Sequence, residues 1–210
     1  MKVLGENQPY SPQGRTGRGG YYQMSLKSGL ITGVSAGDTI FSLRFVSAPK
    51  DGTPLRMQLK YFKVMALIQT AFATPQLCDF YAYAANNFTA SDTGGTQVLP
   101  AAGEQKRNTN AQDSQFVTGG DIRIATTGAL GVGTRTLEAQ PYDSVQFMSA
   151  AGGLAVPLAL ELNEHHVPLI FEHNQGMVFK VGTAFGVTGV VQFWFDFSWM
   201  EEGTQSPAWF

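Results

Sequence analysis

The 210-residue chain carries a formal net charge of −2, and its sequence is 14% charged and 12% aromatic. A charged fraction well below the roughly 25% of typical globular domains, together with a net charge near zero, excludes a field that would draw the protein to nucleic acid or to an anionic membrane. Because no apolar run approaches about 18 residues and the chain has a single cysteine, we expect neither a membrane span nor an intrachain disulfide.

The first 20 residues are rich in Gly, Pro, Gln and Arg and cannot bury a core of their own. They also lack the apolar segment of a secretion signal, so we expect synthesis in a cytosol. We predict an extended N-terminal arm over residues 1–20. Its cations, which include Arg15 and Arg18, are too few to bind nucleic acid tightly, and we favour a contact with acidic groups of a neighbouring subunit.

From Tyr21 onward the sequence shows the pattern of strands. About nine segments rich in Val, Ile, Phe, Tyr and Thr are separated by Gly, Pro, Asn or Asp, without alternating helix patterns. Four apolar residues of one segment alternate with polar ones and are predicted to share a buried face: Leu55, Met57, Leu59 and Tyr61. Cys78 lies in another such segment and is expected to be a small buried hydrophobe.

The connections between these strands complete the expected fold. Helical periodicity is scarce; a single helical turn could form around residues 73–77 or around 150–154. The polar connection 89–120 exceeds the usual loop length, so it either crosses between two sheets or extends outward to contact a partner. We therefore predict an all-β chain with one antiparallel β-sandwich domain of the jelly-roll type over residues 21–202, followed by a C-terminal tail, 203–210.

Near the end of the chain, in VVQFWFDFSWMEE, four aromatic residues occupy every second position: Phe193, Phe195, Phe197 and Trp199. An extended strand places them on one face, and burying four rings contributes on the order of 6 to 12 kcal/mol before entropy is counted. Because such a stripe in water would promote aggregation, we interpret it as the wall of the core and not as a ligand platform. The opposite face, which carries Trp194, is the better place for a partner.

The residues that carry chemistry form no strong motif. Five potential metal ligands lie close together in the sequence: Glu164, His165, His166, Glu172 and His173. Adjacent histidines of an extended chain point to opposite faces, and the spacing matches no zinc motif. The stretches GALGVGTR (128–135) and GTAFGVTG (182–189) resemble phosphate loops only in their glycine content. We therefore expect no enzymatic activity, no cofactor and no metal.

Three stretches together resemble a family of small structural proteins of tailed-bacteriophage virions: FTASDTGGT (88–96), DIRIATTGALGVGTRTLEAQP (121–141) and LIFEHNQGMVFKVGTAFGVTGVVQFWFDFSWME (169–201). The family's recurring turn and strand motifs read here as TPQ (74–76), RTLEAQP (135–141), NQGMVF (174–179) and VTG (187–189). The likeness covers most of residues 21–201. These motifs are structural turns, so the resemblance implies membership of the virion more firmly than a position within it.

The resemblance implies an assembly role. We expect a capsid decoration or cement protein that bridges subunits of the major capsid protein on the capsid surface, after synthesis in the host bacterial cytoplasm. Closed symmetry favours a homotrimer, with a dimer as the alternative. A tail, collar or fibre-anchoring virion protein is the alternative within the same class.

Two alternatives belong to other classes. A glycan-binding module would use exposed aromatic residues, for which the candidates are Tyr21, Tyr22, Tyr81 and Trp194. A jelly-roll hydrolase would need a metal held by the histidines named above. For the assembly role we expect subunit contacts from the arm, from the connection 89–120 and from the following residues: Arg15, Arg18, Tyr21, Tyr22, Trp194, Trp209 and Phe210.

Overall fold

The computed structural model of the protein describes residues 20–47, 55–107, 113–149, 158–162 and 169–203. Within these ranges the chain forms twelve β-strands and one 3₁₀ turn, Gln115–Val117, and it contains no α-helix. The strands in chain order are β1 Gly20–Lys27, β2 Thr39–Phe45, β3 Leu55–Thr70, β4 Gln76–Asn86, β5 Thr96–Gln97, β6 Asp121–Ile124, β7 Thr136–Leu137, β8 Asp143–Ser149, β9 Leu158–Leu162, β10 Leu169–Phe171, β11 Gln175–Val181 and β12 Val190–Gly203. Gly20, which we had placed in the arm, already begins β1.

The strands form two sheets that pack face to face. Sheet I has the order β1-β12-β3, and both β9 and β10 pair with the other edge of β3. Sheet II has the order β5-β6-β2-β11-β4, and both β7 and β8 pair with β4. Every strand pairing is antiparallel. The antiparallel sandwich predicted from the sequence is confirmed, while its jelly-roll type stays a prediction.

The aromatic ladder of β12 forms the wall of the core, as predicted. All four of its rings are inaccessible to solvent. They meet rings of sheet II: Phe195 stacks on Phe41 at a centroid distance of 4.8 Å, and Phe193 meets Phe80 edge-on at 4.9 Å. Cys78 is also fully buried, on β4, as predicted. The ladder therefore joins the two sheets through aromatic contacts that add to the area they bury.

Strand β3 departs from the predicted alternation at one residue. Leu55, Met57 and Leu59 are buried, but Tyr61 turns outward, so its predicted place on the buried face is wrong. The register explains the difference, because Trp199 of β12 opposes Leu59 and the preceding Ser198 opposes Tyr61. Lys60 is the extra residue of a β-bulge, which exchanges the two faces of the strand beyond it.

The long connection 89–120 crosses between the sheets, which confirms the first of its two predicted alternatives. Its strand β5 adds to the edge of sheet II beside β6. Farther along, Gln105 accepts a hydrogen bond from the amide of Gln23 at 3.1 Å, and the amide of Arg107 donates to the carbonyl of Tyr21 at 2.8 Å. The connection therefore covers part of the β1 edge of sheet I.

The predicted helical turn at 73–77 is wrong. β4 begins at Gln76 and the preceding residues form a bend. Pro75 disfavours the α conformation at the residue before it, and the ladder with β8 starts directly afterwards. The turn predicted at 150–154 lies outside the described residues.

The NQGMVF motif (174–179) forms the turn into β11 and the strand itself. Asn174 has a φ of 61°, a left-handed conformation that asparagine tolerates better than most residues, and its Oδ1 accepts from Arg44 Nη2 at 2.7 Å. A Cβ on Gly176 would lie 1.8 Å from the carbonyl oxygen of Leu43. Glycine is therefore required where β11 approaches β2.

Candidate interaction surfaces

The outer face of sheet I is formed by the side chains of β1, β3 and β12 that turn away from the core. In the centre, Trp194 lies between Lys27 of β1 and Met65 of β3 in the strand register. The Lys27 ammonium lies 5.4 Å from the Trp194 ring centroid, a distance at which cation–π attraction acts. The half-buried apolar and aromatic residues of this face are Tyr21, Tyr61, Met65, Leu67, Trp194 and Met200.

Charged residues are interleaved with these apolar side chains. At one end of the face, Arg56 forms an ion pair with Glu202 at 2.7 Å, and Lys60 donates to the amide oxygen of Gln58 at 2.6 Å. Asp196 lies opposite Lys63 in the β12–β3 register. The face thus combines apolar area with polar groups of both signs, a composition suited to a protein contact.

A shallow depression of about 180 Å³ lies on the outer face of sheet II. Its lining residues are Gly37, Tyr81, Tyr83, Lys180, Val181 and Gly182, and we call it the tyrosine depression. The rings of Tyr81 and Tyr83 have centroids 6.3 Å apart and planes inclined at 67°. Lys180 of β11 lies opposite Tyr81 of β4, and the Tyr81 hydroxyl donates to Asp79 Oδ2 at 2.6 Å.

Asp79 and Lys180 give this depression its charges. Burial alone would raise the pKa of Asp79, but polar contacts from Thr183 and the hydrogen bond from Tyr81 outweigh it and lower the pKa. Asp79 Oδ1 has no hydrogen-bond partner among the described residues. Burial, and then the nearby Arg135, lower the pKa of Lys180.

A second small core lies on the same outer face, beside the depression. Phe88 packs there with Ala85 and Val178, next to Tyr83 and Leu137. Above it, Arg135 forms an ion pair with Asp92. Both side chains are almost inaccessible to solvent, and the guanidinium lies 5.7 Å from the Phe88 ring centroid. Two of the stretches that carry the family resemblance, 88–96 and 121–141, therefore meet at a buried ion pair.

Glu201 is a buried carboxylate that the sequence analysis missed. It lies on β12 and is 2% exposed. It accepts hydrogen bonds from Ser114 Oγ at 2.6 Å, from the Gln115 amide at 2.9 Å and from Trp199 Nε1 at 2.9 Å. These contacts, which we call the Glu201 latch, fix the long connection to sheet I. The sequence did contain one indication of this burial. Glu201 is an odd-numbered residue of β12, as are the buried residues from Phe193 onward, so an extended strand places it on the same face.

Burial sets the protonation of this carboxyl. Desolvation raises the pKa of Glu201 to about 7, against the opposing effect of its hydrogen bonds from Ser114, Trp199 and Gln115. Its charge therefore changes near neutral pH, where an ordinary glutamate is fully ionised.

The predicted contact residues fall in three different environments. Tyr21 is half-buried on the outer face of sheet I, with the Arg107 guanidinium 5.2 Å from its ring centroid. Trp194 lies in the middle of that face. Tyr22 is a correction: it is fully buried and stacks on Trp199 at 5.4 Å, so its side chain presents no surface to a subunit or a glycan. The remaining candidates lie outside the described residues: Arg15, Arg18, Trp209 and Phe210.

The histidine cluster is only partly described. His173 Nδ1 lies 3.0 Å from the carbonyl oxygen of Ser47, a contact that ties the turn before β11 to the end of β2. Residues 163–168, which include the other two histidines, lie outside the described ranges. Among the residues that the structure does describe, no three potential metal ligands come together.

No family model and no curated protein sequence matches the chain. Across the described ranges, no helix is long and apolar enough to span a membrane.

Proposed function

We propose that this chain is a structural protein of a bacteriophage virion, a decoration protein that binds the capsid surface and bridges neighbouring subunits of the major capsid protein. The observation that carries the proposal is the outer face of sheet I. The turn and strand motifs that resemble small virion proteins support the particle as the setting. The second partner in this proposal is a further copy of the chain, in a closed trimer.

The outer face of sheet I has the size of a protein interface. β3 and β12 run for 16 and 14 residues, which corresponds to about 50 Å at a rise of about 3.3 Å per residue. Four strands side by side span about 19 Å. Allowing for the shorter outer strands, the face covers roughly 700 to 900 Å², close to the roughly 800 Å² that each partner contributes to a standard interface.

The centre of this face carries the residues that dominate binding energies. Trp194 and Met65 are neighbours in the register, and tryptophan is among the residues most enriched at interface hot spots. Lys27 covers the Trp194 ring from β1. A coat subunit that buries this centre and leaves the Arg56–Glu202 pair at the rim would form the usual arrangement of an apolar core within a polar border.

The rest of the fold suits a protein that must resist mechanical force. β12 pairs with β3 along its length. At the β1 edge, Tyr21 and Gln23 form backbone hydrogen bonds with the long connection. The aromatic ladder fastens sheet I to sheet II across the core. Force from a coat subunit bound to sheet I would therefore pass through paired strands and packed rings.

Copy number and one substitution test the proposal together. Quantitative mass spectrometry of virions from the phage that encodes the chain should find hundreds of copies, in a near-integer ratio to the coat protein. A few to a few dozen copies would instead support the tail, collar or fibre-anchoring alternative. Absence of the chain from the particle would refute a virion role.

The substitution is Trp194→Glu, supplied to the phage in place of the wild-type chain. The substitution removes the central aromatic ring and places a charge in the contact that must be desolvated even beside Lys27, so it should lower the number of copies per particle about tenfold or more. The control is Gln146→Glu, at an exposed position of β8 on sheet II, which should change the number less than twofold. Normal incorporation of Trp194→Glu would exclude the outer face of sheet I as the contact.

A further inference from the structure

The tyrosine depression lies on sheet II, on the side of the sandwich that faces away from the outer face of sheet I. We propose that it is a saccharide-binding site, in which Tyr81 and Tyr83 pack against the C–H groups of one sugar ring and Lys180 donates to a hydroxyl of that ring. The site uses none of the residues of the proposed capsid contact. Either proposal can therefore fail without affecting the other.

The two tyrosines form the apolar wall of the site. They are two residues apart on β4, so their side chains leave the sheet on the same face. Their planes are inclined at 67°, and both rings remain partly exposed to solvent. The face of an aromatic ring carries partial negative charge and attracts the weakly positive C–H groups of a sugar. The phenol hydroxyls add polar atoms at the edge of the same wall.

The polar groups of the depression match a hydroxyl. The Tyr81 hydroxyl uses its hydrogen in the bond to Asp79, which leaves its oxygen as an acceptor. Lys180 lies opposite Tyr81 in the β4–β11 register and brings an ammonium group, which can only donate. A sugar hydroxyl both donates and accepts, so a single hydroxyl can satisfy the lysine and the tyrosine together.

The charges around the depression favour an uncharged sugar over an acidic one. Asp79 lies behind Tyr81 as a carboxylate and is almost fully buried. Lys180 contributes the opposite charge within the same lining. An anionic ligand would gain attraction from Lys180 and meet repulsion from Asp79, whereas a neutral polyol meets neither.

Glycine shapes the floor of the site. A Cβ on Gly182 would lie 2.3 Å from a ring carbon of Tyr81 and 2.6 Å from the carboxyl carbon of Asp79. A larger residue would therefore displace the hydrogen-bonded Asp79–Tyr81 pair. Gly37, with a φ of 87°, also lines the site, and its amide donates to the carbonyl of Val181 at 2.7 Å. The volume of about 180 Å³ is smaller than that of the roughly 300 to 1,000 Å³ pockets of drug-sized ligands, and it is of a size for one sugar ring.

The test is a titration of the ¹⁵N-labelled chain followed by its amide resonances. The probes are the methyl glycosides of glucose, galactose and mannose, N-acetylglucosamine, and the anionic N-acetylneuraminic acid. We expect at least one neutral sugar to shift the Gly37 and Gly182 amides in a saturable manner. Lys180→Gln and Tyr81→Phe should each weaken that sugar about tenfold, because hydrogen bonds to charged groups are the stronger ones and Tyr81 is ordered by Asp79.

The control is Tyr21→Phe, which removes a tyrosine hydroxyl from the outer face of sheet I and should change the Kd less than twofold. The amide spectrum of each variant also reports whether it is folded, so lost binding and lost structure are distinguishable. The proposal is overturned if no neutral sugar saturates, if N-acetylneuraminic acid alone binds, or if both substitutions at the depression leave the affinity unchanged.

Discussion

Replacing Glu201 by glutamine should remove a pH dependence of stability that wild type shows near neutrality. The folded chain holds this carboxyl in a buried site, where its pKa is raised from 4.5 to about 7. In the unfolded chain the carboxyl ionises at its ordinary pKa. Because the folded state binds the proton more tightly, the contribution of Glu201 to stability is fully present below about pH 4.5 and is lost as the pH rises through 7.

The magnitude follows from the two pKa values. A difference of about 2.5 pH units, at 1.36 kcal/mol per unit, gives about 3 kcal/mol between pH 4.5 and pH 8. Glu201→Gln has no carboxyl to titrate, so its free energy of unfolding should lack this decrease. The variant is less stable than wild type at every pH, because the amide cannot accept hydrogen bonds from Ser114, Gln115 and Trp199 together. The slope, and not the absolute stability, is therefore the quantity to compare.

Urea unfolding at several pH values between 5 and 8, followed by tryptophan fluorescence, measures this slope. Tyr22 stacks nearby and its pKa is raised by burial and by Glu201, so it stays neutral over the whole range. Asp113, whose charge also raises the pKa of Tyr22, is paired with Lys106 at 2.7 Å. Titrations elsewhere in the chain affect wild type and variant alike, so the difference between the two curves isolates Glu201.

The matched control is Glu202→Gln, one residue farther along β12. Glu202 is partly exposed and paired with Arg56, and surface pairs of this kind contribute about 0 to 1 kcal/mol. Its variant should keep the wild-type slope. The reasoning is refuted if wild type loses no stability between pH 5 and pH 8, or if Glu201→Gln loses as much as wild type does.

Three further predictions test the packing of the core, the buried ion pair and the glycine that lines the tyrosine depression. Phe195→Ala should cost about 3 to 5 kcal/mol in urea unfolding, whereas Trp194→Ala, on the opposite face of the same strand, should cost less than about 2 kcal/mol; equal costs would contradict the assignment of the two faces. Arg135→Met leaves the carboxylate of its partner, Asp92, buried without a counter-charge and should cost about 3 to 5 kcal/mol in urea unfolding at pH 7; a cost below about 1 kcal/mol would contradict the buried ion pair. Gly182→Ala should lower the melting temperature because of the overlap with Tyr81, while Gly186→Ala, where an added Cβ meets nothing within 4 Å, should not.

The sequence predicted the features of the fold that depend on local periodicity. A period of two was enough to identify the buried ladder around Phe195, because every second residue of a strand faces the same way whatever it pairs with. The bulge at Lys60 was not predictable, since it depends on how β3 and β12 align over their length. For that reason alone, Tyr61 lies on the outer face and not on the buried face that the sequence predicted.

The candidate sites depend on contacts between distant parts of the chain, and the sequence predicted them only in part. Trp194 was correctly placed on the outer face of its strand. Tyr81 was one of several aromatic candidates, but its neighbour Lys180 became visible only through the β4–β11 register. Glu201 was overlooked because a glutamate at the end of an apolar strand usually marks the surface, and nothing near it in the sequence identifies the Ser114 segment that surrounds it.

The long connection covers part of one edge of the sandwich, the β1 edge of sheet I. An uncovered edge strand can pair with any other strand through its backbone, with little regard to sequence. Here residues 105–107 pair with β1, and the Glu201 latch fixes the segment that follows. Association at the covered part of this edge is therefore blocked. Both proposals above rely on side chains and not on edge pairing: those around Trp194 on the outer face of sheet I, and those of the tyrosine depression on sheet II.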